Sequence, residues 1–228
     1  MLRGIGTSKG IGIGKALVLK NTECEIKLRE VDDTEAEIAR FRAGIDIFIK
    51  ETDELINKLS AKLKGDDTNA LVLKNQEYLV KDIQLTSQVE KIIRESRRNA
   101  EAALYETCES LKQLFLSIDN EAVAQRVTDI EDMRERLTAI LLGVKRVDLT
   151  QLPANTIIIA DEIHPSMTAN MDTEHIAGIV SEKGGDTSHA SILARALEIP
   201  AVLSVKGICS QVEDGQDIIV DGAYGEVF

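Results

Sequence analysis

His189 lies near the C-terminal end of the chain, among residues suited to carrying a phosphoryl group. It follows the segment Gly184-Gly185-Asp186-Thr187-Ser188, and Arg195 comes later on the same stretch. Paired glycines permit a tight turn, hydroxyl side chains cap helices, and the first N–H groups of a helix attract anions. A neutral imidazole is a competent nucleophile near pH 7 and a good leaving group once phosphorylated. A glycine turn or a lone histidine can begin any helix, but their combination with the hydroxyls and the arginine predicts reversible phosphoryl transfer through His189.

The flanking sequence predicts the elements that hold this histidine. The apolar run 176–180 is typical of a short buried strand. After it, apolar side chains recur with the spacing of one helical face, at Ala190, Leu193, Ala194 and Leu197. We therefore expect a strand, a glycine turn and a helix capped by Thr187 or Ser188, with His189 in its first turn.

Further strands are expected at both ends of the chain. Apolar or β-branched runs occur at 16–19, 156–160, 201–205, 217–221 and 226–228. The glycines between positions 4 and 14 are followed by a strand pattern and not by a helix, which disfavours a nucleotide-binding loop. We expect residues 1–20 to pair with strands from 150–228.

The middle of the chain has a helical period throughout. Thr34 to Glu37 has capping-box spacing, and Gly143 follows the last periodic residues in the manner of a helix C-cap. The predicted helices run from Thr34 to about Leu63, Asn69 to about Val80, Thr86 to Ser96, Ala100 to about Leu116, and from an Asn120 cap to Leu142. The predicted fold is thus α/β plus α: a discontinuous α/β subdomain (1–20 and 148–228) and an inserted antiparallel helical bundle (33–143), with linkers at 21–32 and 144–147.

Composition narrows the classes of partner. The net charge of −12 disfavours nucleic-acid binding and suits a partner with a basic face, although acidic surfaces are often only solvated. Three widely spaced cysteines fit a reducing compartment, and no apolar run approaches membrane-spanning length. The trio His164, His175 and His189 lacks the spacing and carboxylates of a metal site. We expect a cytoplasmic protein without nucleic-acid, membrane or metal binding in this part of the chain.

The motif around His189 resembles the phosphohistidine signature of the phosphoenolpyruvate-utilising family, G-G-x-T-S-H-x-x-I-x-A-R, at every fixed position. The order of segments along the whole chain resembles the N-terminal half of the Enzyme I family of the bacterial phosphoenolpyruvate:sugar phosphotransferase system. The segments that carry this wider resemblance are 4–11, 126–137, 141–143, 165–169 and 194–201.

This resemblance implies a swivelling phosphohistidine domain with an inserted helical subdomain that docks a small carrier, HPr. His189 would take the phosphoryl group on Nε2 and pass it to a histidine of HPr, while Thr168 holds the ring. Gly184, Gly185, Thr187, Ser188 and Arg195 would position the phosphate, and Arg126, Asp82, Leu79 and Leu85 would meet the carrier. Phosphoenolpyruvate and Mg²⁺ would bind a C-terminal barrel domain, so we expect no cofactor in this part.

Departures from the family pattern leave other interpretations open. Asp186 replaces a common arginine, Gln76 a usual histidine, His164 a usual threonine and Glu162 a usual aspartate. They keep open a paralogous phosphorelay, either nitrogen-related or serving dihydroxyacetone kinase, and an inactive docking module. The swivelling domain of pyruvate phosphate dikinase or phosphoenolpyruvate synthase shares the histidine loop but not the inserted helices.

Overall fold

The computed structural model describes residues 1–19, 26–62, 68–118 and 121–228. The chain divides into two compact units, Met1–Thr22 with Val147–Phe228, and Glu23–Arg146. The predicted class, an α/β unit interrupted by helices, is confirmed. The predicted Asn120 cap lies outside the described residues.

A mixed sheet forms the first unit. The order of its strands is β1-β8-β7-β3-β4-β5-β6-β2. Their bounds are β1 Leu2–Arg3, β2 Ile5–Ser8, β3 Ile11–Leu19, β4 Thr156–Ala160, β5 Ile176–Ser181, β6 Ala201–Leu203, β7 Asp217–Asp221 and β8 Glu226–Val227. Because only Gly4 separates β1 from β2, the two ends of this order belong to one continuous segment, and the sheet closes on itself.

The N-terminal strands pair with the C-terminal part of the chain, as predicted. β3 lies parallel to β4 and antiparallel to β7, and β2 pairs with β6 in antiparallel register. β4, β5 and β6 continue the parallel part of the sheet. β6 ends at Leu203, short of the predicted end at 205, because Ser204 takes a left-handed backbone conformation with φ 60°.

Both faces of the central strand β4 are buried. Ile158 and Ala160 belong to one core cluster with Ala190 and Ala194, while Ile157 and Ile159 belong to the cluster on the other side. Successive side chains of a strand point to opposite faces, so a continuous apolar run matches a strand covered on both sides. Short helices of this unit are α6 Pro165–Asn170, η1 Thr173–His175, α7 His189–Ala196 and α8 Ile208–Gln211.

The second unit is built from helices α1 Thr34–Lys62, α2 Thr68–Val80, α3 Ile83–Ser96, α4 Ala100–Leu116 and α5 Glu121–Leu142. The predicted cap of α1 and the predicted start of α3 are wrong. Asp33, and not Thr34, caps α1, since its carboxylate accepts hydrogen bonds from the N–H groups of Glu35 and Ala36 at 3.1 and 3.0 Å. α3 begins at Ile83, before the predicted Thr86, because the Asp82 carboxylate caps it.

A single apolar core joins these helices. Its largest fully buried side chains include Phe41, Phe48, Ile93, Leu104 and Met133. α5 ends at Gly143 as predicted, with φ 66°, and the N–H groups of Gly143 and Val144 bond to the carbonyls of Ile140 and Ala139. No helix in the described ranges is long and apolar enough to cross a bilayer.

A buried polar network connects α1, α2 and α5. The Arg136 guanidinium donates to the Gln76 side-chain oxygen at 2.9 Å and to the Thr52 hydroxyl at 2.7 Å, and lies 4.1 Å from the centroid of the Phe48 ring. The Gln76 amide donates to Asp132 at 2.9 Å. Burial lowers the pKa of Arg136 to about 10, so this residue remains charged at neutral pH. Gln76 therefore belongs to the interior of the helical unit and is not a surface residue available to a carrier.

A second cluster ties α1 to α4 and to the end of α5. Arg40 donates to the carboxylates of Glu37 and Glu101 and, at 2.8 Å, to the carbonyl of Leu141. Burial alone raises the pKa of Glu37, but hydrogen bonds from Arg40 and from the Ala100 N–H reverse this, and the net pKa lies below its ordinary value. Glu37 is therefore held as a carboxylate that caps α4.

Candidate active site

His189 is the first residue of α7, and it follows β5 by way of the loop 182–188. Ser188 is the N-cap: its hydroxyl accepts a hydrogen bond from the Ser191 N–H at 3.3 Å. The apolar face of α7, including Ala190 and Ala194, is buried in the core of the α/β unit. A half-buried imidazole is thus fixed at the positive end of a helix that is itself anchored in the core.

A hydroxyl from α6 meets the imidazole. The Oγ1 of Thr168 lies 2.9 Å from Nε2 of His189 and 2.9 Å from the carbonyl oxygen of Pro165. Thr168 is only 5% exposed. It therefore fixes the orientation of the His189 ring from below the protein surface.

The loop before His189 has its carbonyl groups turned toward the protein. The hydroxyls of Ser181 and Ser204 donate to the carbonyls of Lys183 and Gly184, at 2.5 Å in each case. The Gly185 carbonyl accepts from the Ser188 N–H at 3.0 Å. The Asp186 carbonyl accepts from the Ser191 hydroxyl at 2.9 Å and from the guanidinium of Arg195. The carbonyl oxygens of residues 183 to 186 are therefore all hydrogen-bonded within the protein.

Three N–H groups of the same turn have no acceptor among the described residues. No residue in the described ranges accepts a hydrogen bond from the N–H of Gly185, Asp186 or Thr187. Gly184 has φ 106°, a conformation that only glycine adopts readily, and a Cβ added at Gly185 would meet nothing within 4 Å. Amide donors beside a helix start and open space form a setting for a phosphoryl group next to His189.

Other residues predicted for this site have different surroundings. Thr187 is exposed, and its side chain makes no hydrogen bond to a described residue. The Arg195 guanidinium holds the Asp186 carbonyl, so this arginine shapes the loop. The carboxylate of Asp186 is exposed, so its replacement of arginine changes the surface of the loop.

The residues predicted to meet a carrier lie in the helical unit. Arg126 is exposed near the start of α5, and Leu79 is half-buried on α2. Asp82 caps α3 through the N–H groups of Gln84 and Leu85. Leu85 is 6% exposed and packs in the helical core, which contradicts its prediction as a contact residue. Its apolar side chain supports α3 from inside.

Neither a reactive cysteine nor a metal site competes with His189 among the described residues. Cys209 is the cysteine of the α/β unit, and burial followed by the charge of Glu182 raises its pKa to about 12. It is a neutral thiol at pH 7 and a poor nucleophile. Across the described parts of the chain, no group of three or more histidine, cysteine, aspartate or glutamate side chains is arranged to hold a metal ion.

Sequence reasoning missed the serines that hold the loop. Ser191 follows the Ser188 cap by three positions, a spacing that could have suggested a contact across one helical turn. Ser204 is separated from Gly184 by 20 positions and lies on a different element, so no local pattern indicates their contact. Only the pairing of β5 with β6 brings them together.

Known families and proteins resemble this chain along nearly its whole length. Residues 3–126 match the family model described as PEP-utilising enzyme, N-terminal, and residues 152–225 match PEP-utilising enzyme, mobile domain. The chain is 35% identical over 99% of its length to a phosphoenolpyruvate-protein phosphotransferase of Listeria monocytogenes, and 37% identical over 99% to that of Bacillus subtilis. It covers 39% of each of these relatives, or about two fifths of their length.

A solved structure covers the whole chain. The solution structure of an Enzyme I fragment, nEIt, superimposes with a TM-score of 0.78 at 33% sequence identity. The match includes 100% of this chain and 92% of that fragment. The two therefore share the interrupted α/β architecture from end to end.

Proposed function

The chain belongs to the PEP-utilising enzyme family, and we propose that it is the phosphohistidine part of an Enzyme I, passing a phosphoryl group from phosphoenolpyruvate through His189 to the carrier HPr. Its resemblance to the N-terminal half of Enzyme I is confirmed by the relatives and by the solved fragment. The single observation that carries the proposal is the placement of His189 at the start of α7, held by Thr168 and flanked by amide donors.

The transfer consists of two substitutions at phosphorus. In the first, the lone pair of His189 Nε2 attacks, an N–P bond forms, the P–O bond of phosphoenolpyruvate breaks and enolpyruvate leaves with the electron pair. In the second, a ring nitrogen of the carrier histidine attacks the same phosphorus, and the N–P bond at His189 breaks. The amide groups of the 182–188 loop and the α7 dipole stabilise the charge on the equatorial oxygens.

The helical unit is proposed to dock the carrier. Leu71 and Tyr78 project from the same face of α2 and are 59% and 62% exposed, and Ile83 at the start of α3 is 79% exposed. Apolar side chains of this size are favourable anchors when a partner covers them. Arg126, exposed on α5, adds a positive charge suited to a phosphorylated partner.

Phosphoenolpyruvate is proposed to bind outside this part of the protein. The chain spans about two fifths of its curated relatives, and their remaining length has room for a substrate domain. We assign Mg²⁺ to that domain and no cofactor to residues 1–228. The two described cysteines, Cys108 and Cys209, are free thiols, which fits a cytoplasmic protein.

Transfer from radiolabelled phospho-HPr tests the proposal directly. The wild-type chain is expected to take up acid-labile, base-stable label, and His189→Ala is expected to take up none. The matched control is His175→Ala, which removes an exposed histidine paired with Asp172 at 2.7 Å and should leave labelling intact. If His189→Ala and His175→Ala both took up label, His189 would not be the phosphorylated residue. A wild-type chain that takes up no label from any carrier would favour the inactive docking module.

A second acceptor class is favoured by one observation. The exposed carboxylate of Asp186 gives the loop a negative surface where the family commonly has a positive one. A paralogous carrier with a basic side chain beside its histidine suits this surface better than a neutral one. Transfer rates measured side by side with HPr and with carriers of the nitrogen-related and dihydroxyacetone kinase systems distinguish HPr from a paralogous carrier. The true partner gives the highest second-order rate constant.

A further inference from the structure

Ser204 has a backbone conformation that serine rarely adopts. It follows β6 with φ 60°, in the left-handed region, and its neighbours Leu203 and Val205 are both fully buried. The Val205 N–H donates to the carbonyl of Ser181 at 2.9 Å, which fixes the backbone on the far side of Ser204. Residues held in such conformations cluster at functional sites, where the surrounding structure maintains them.

The side chain of Ser204 reaches the loop that carries His189. Its hydroxyl donates to the Gly184 carbonyl at 2.5 Å. Gly184 has φ 106°, so two unusual backbone conformations face each other across this hydrogen bond. The contact links the end of β6 to the first glycine of the loop.

This hydrogen bond decides where one peptide group points. The peptide between Gly184 and Gly185 has its carbonyl on Ser204, so its N–H, which belongs to Gly185, points in the opposite direction. No described residue accepts from that N–H, and a Cβ added at Gly185 would meet no other atom within 4 Å. Rotation of the peptide would bring a carbonyl oxygen, in place of a donor, toward a bound anion.

We propose that Ser204 is a positioning residue of the phosphoryl site: its hydroxyl holds the Gly184 carbonyl away from the site and keeps the Gly185 N–H aimed at the phosphoryl oxygens on His189. The inference rests on the proposed function of His189. The strained backbone of Ser204 is the condition for this contact, because the left-handed conformation directs the hydroxyl at the loop. Stability alone would therefore favour glycine at position 204, whereas the transfer rate requires the serine hydroxyl.

Substitution of Ser204 by glycine or by alanine separates the effect on stability from the effect on the transfer rate. Ser204→Gly removes the hydroxyl and relieves the backbone strain, whereas Ser204→Ala removes the hydroxyl and keeps the strain. Both variants are expected to lower the single-turnover rate of His189 phosphorylation at saturating phospho-HPr by about tenfold, with the KM for the carrier unchanged. Ser204→Gly should unfold at or above the wild-type temperature, and Ser204→Ala below it.

Ser210→Ala is the matched control. The Ser210 hydroxyl also donates to a glycine carbonyl, that of Gly207 at 2.9 Å, but this contact lies on an exposed turn. Its loss should leave the transfer rate within twofold of wild type. A Ser204→Gly variant that transfers at the wild-type rate would overturn the proposal and leave the contact a purely structural one.

The backbone amide NMR spectrum tests the role of Ser204 without relying on phosphoryl transfer. If the wild type takes no label, the proposed function fails, and the resonances of Gly185, Asp186 and Thr187 then report on the loop directly. We expect these signals to shift or broaden in both Ser204 variants and to stay in place in Ser210→Ala. Unchanged loop signals in Ser204→Gly would overturn the positioning role whatever the outcome of the labelling.

Discussion

The hydroxyl oxygen of Thr168 lies 2.9 Å from Nε2 of His189, the nitrogen proposed to carry the phosphoryl group. A hydroxyl has one proton, which can go to the Pro165 carbonyl or to the imidazole, but not to both. When it goes to Nε2, it selects the tautomer in which Nδ1 bears the ring proton and Nε2 keeps its lone pair. In that arrangement Thr168 gives up its bond to the Pro165 carbonyl and holds the ring with the Nε2 lone pair available. With the proton on the carbonyl, Nε2 instead donates to the Thr168 oxygen.

Replacement of Thr168 by valine should therefore slow phosphorylation of His189 without abolishing it. We expect roughly a tenfold loss of single-turnover rate, because the ring loses its orientation and its preferred tautomer. Nitrogen-15 spectra of the imidazole should show one dominant tautomer in the wild type, which reports the direction of the Thr168 hydrogen bond, and a mixed population in Thr168→Val. Ser210→Ala, at an exposed hydroxyl outside the loop that carries His189, is the control, and an equal loss there would contradict the assignment to Thr168.

The exposed apolar residues of α2 and α3 should govern affinity for the carrier. Ile83→Asp places a charge on a side chain that is 79% exposed, so the fold tolerates it while an apolar contact is lost. The KM for phospho-HPr is expected to rise about tenfold, with the rate at saturation unchanged. Ile47→Asp, at a position on α1 that is 49% exposed, is the control. If both variants raise the KM equally, general charge repulsion explains the effect and the proposed docking face is wrong.

Arg136 should be a stability determinant of the helical unit with no direct part in transfer. Arg136→Met leaves Asp132 with one cationic neighbour fewer and Gln76 and Thr52 without a donor, and removal of one member of a buried charged network costs about 3–5 kcal/mol. Urea denaturation at pH 7 measures this loss. Arg126→Met, at an exposed arginine on the same helix, should change the unfolding free energy by no more than about 0.5 kcal/mol. Similar losses in both variants would show that the buried network contributes little.

Acid should weaken the helical unit through Glu37. Its pKa in the folded protein lies below the ordinary value of 4.5, so its contribution to stability is complete above pH 4.5 and decreases as the pH falls through the folded-state value. Unfolding free energies measured between pH 7 and pH 3 should therefore fall with acid. The slope should be smaller in Glu37→Gln, which cannot titrate. An identical slope in the variant would assign the acid sensitivity to other carboxylates.

Patterns spread along the chain were readable from the sequence, and contacts between distant positions were not. The helical period predicts α4 at its observed bounds, because one apolar face must be buried along its whole length. The period places the start of α3 at Thr86, because it does not show that the Asp82 side chain caps the helix at Ile83. Leu85 was misplaced for a similar reason: periodicity tells which side chains share a face, but not which face the neighbouring helices cover.

The candidate active site also combines features that the sequence predicts with features that it does not. His189 and its Ser188 cap follow from a local motif, since a turn and a helix start need only neighbouring residues. Ser204 and the buried position of Gln76 depend on which strands and helices pack together. A polar side chain has the same appearance in the sequence whether it is solvated or joins a buried network, so these roles required the fold.

β3 and β4 are adjacent and parallel, although the whole helical unit separates them in the chain. A parallel pair needs a crossover connection, which is commonly a single helix. In this protein a domain with its own core takes the place of that connection. Mutations in α1–α5, where a carrier is proposed to dock, can therefore accumulate without changing the sheet that packs against the His189 helix. The proposed recognition of a carrier and the proposed chemistry at His189 are thus inherited together on one chain, yet they can evolve at separate rates.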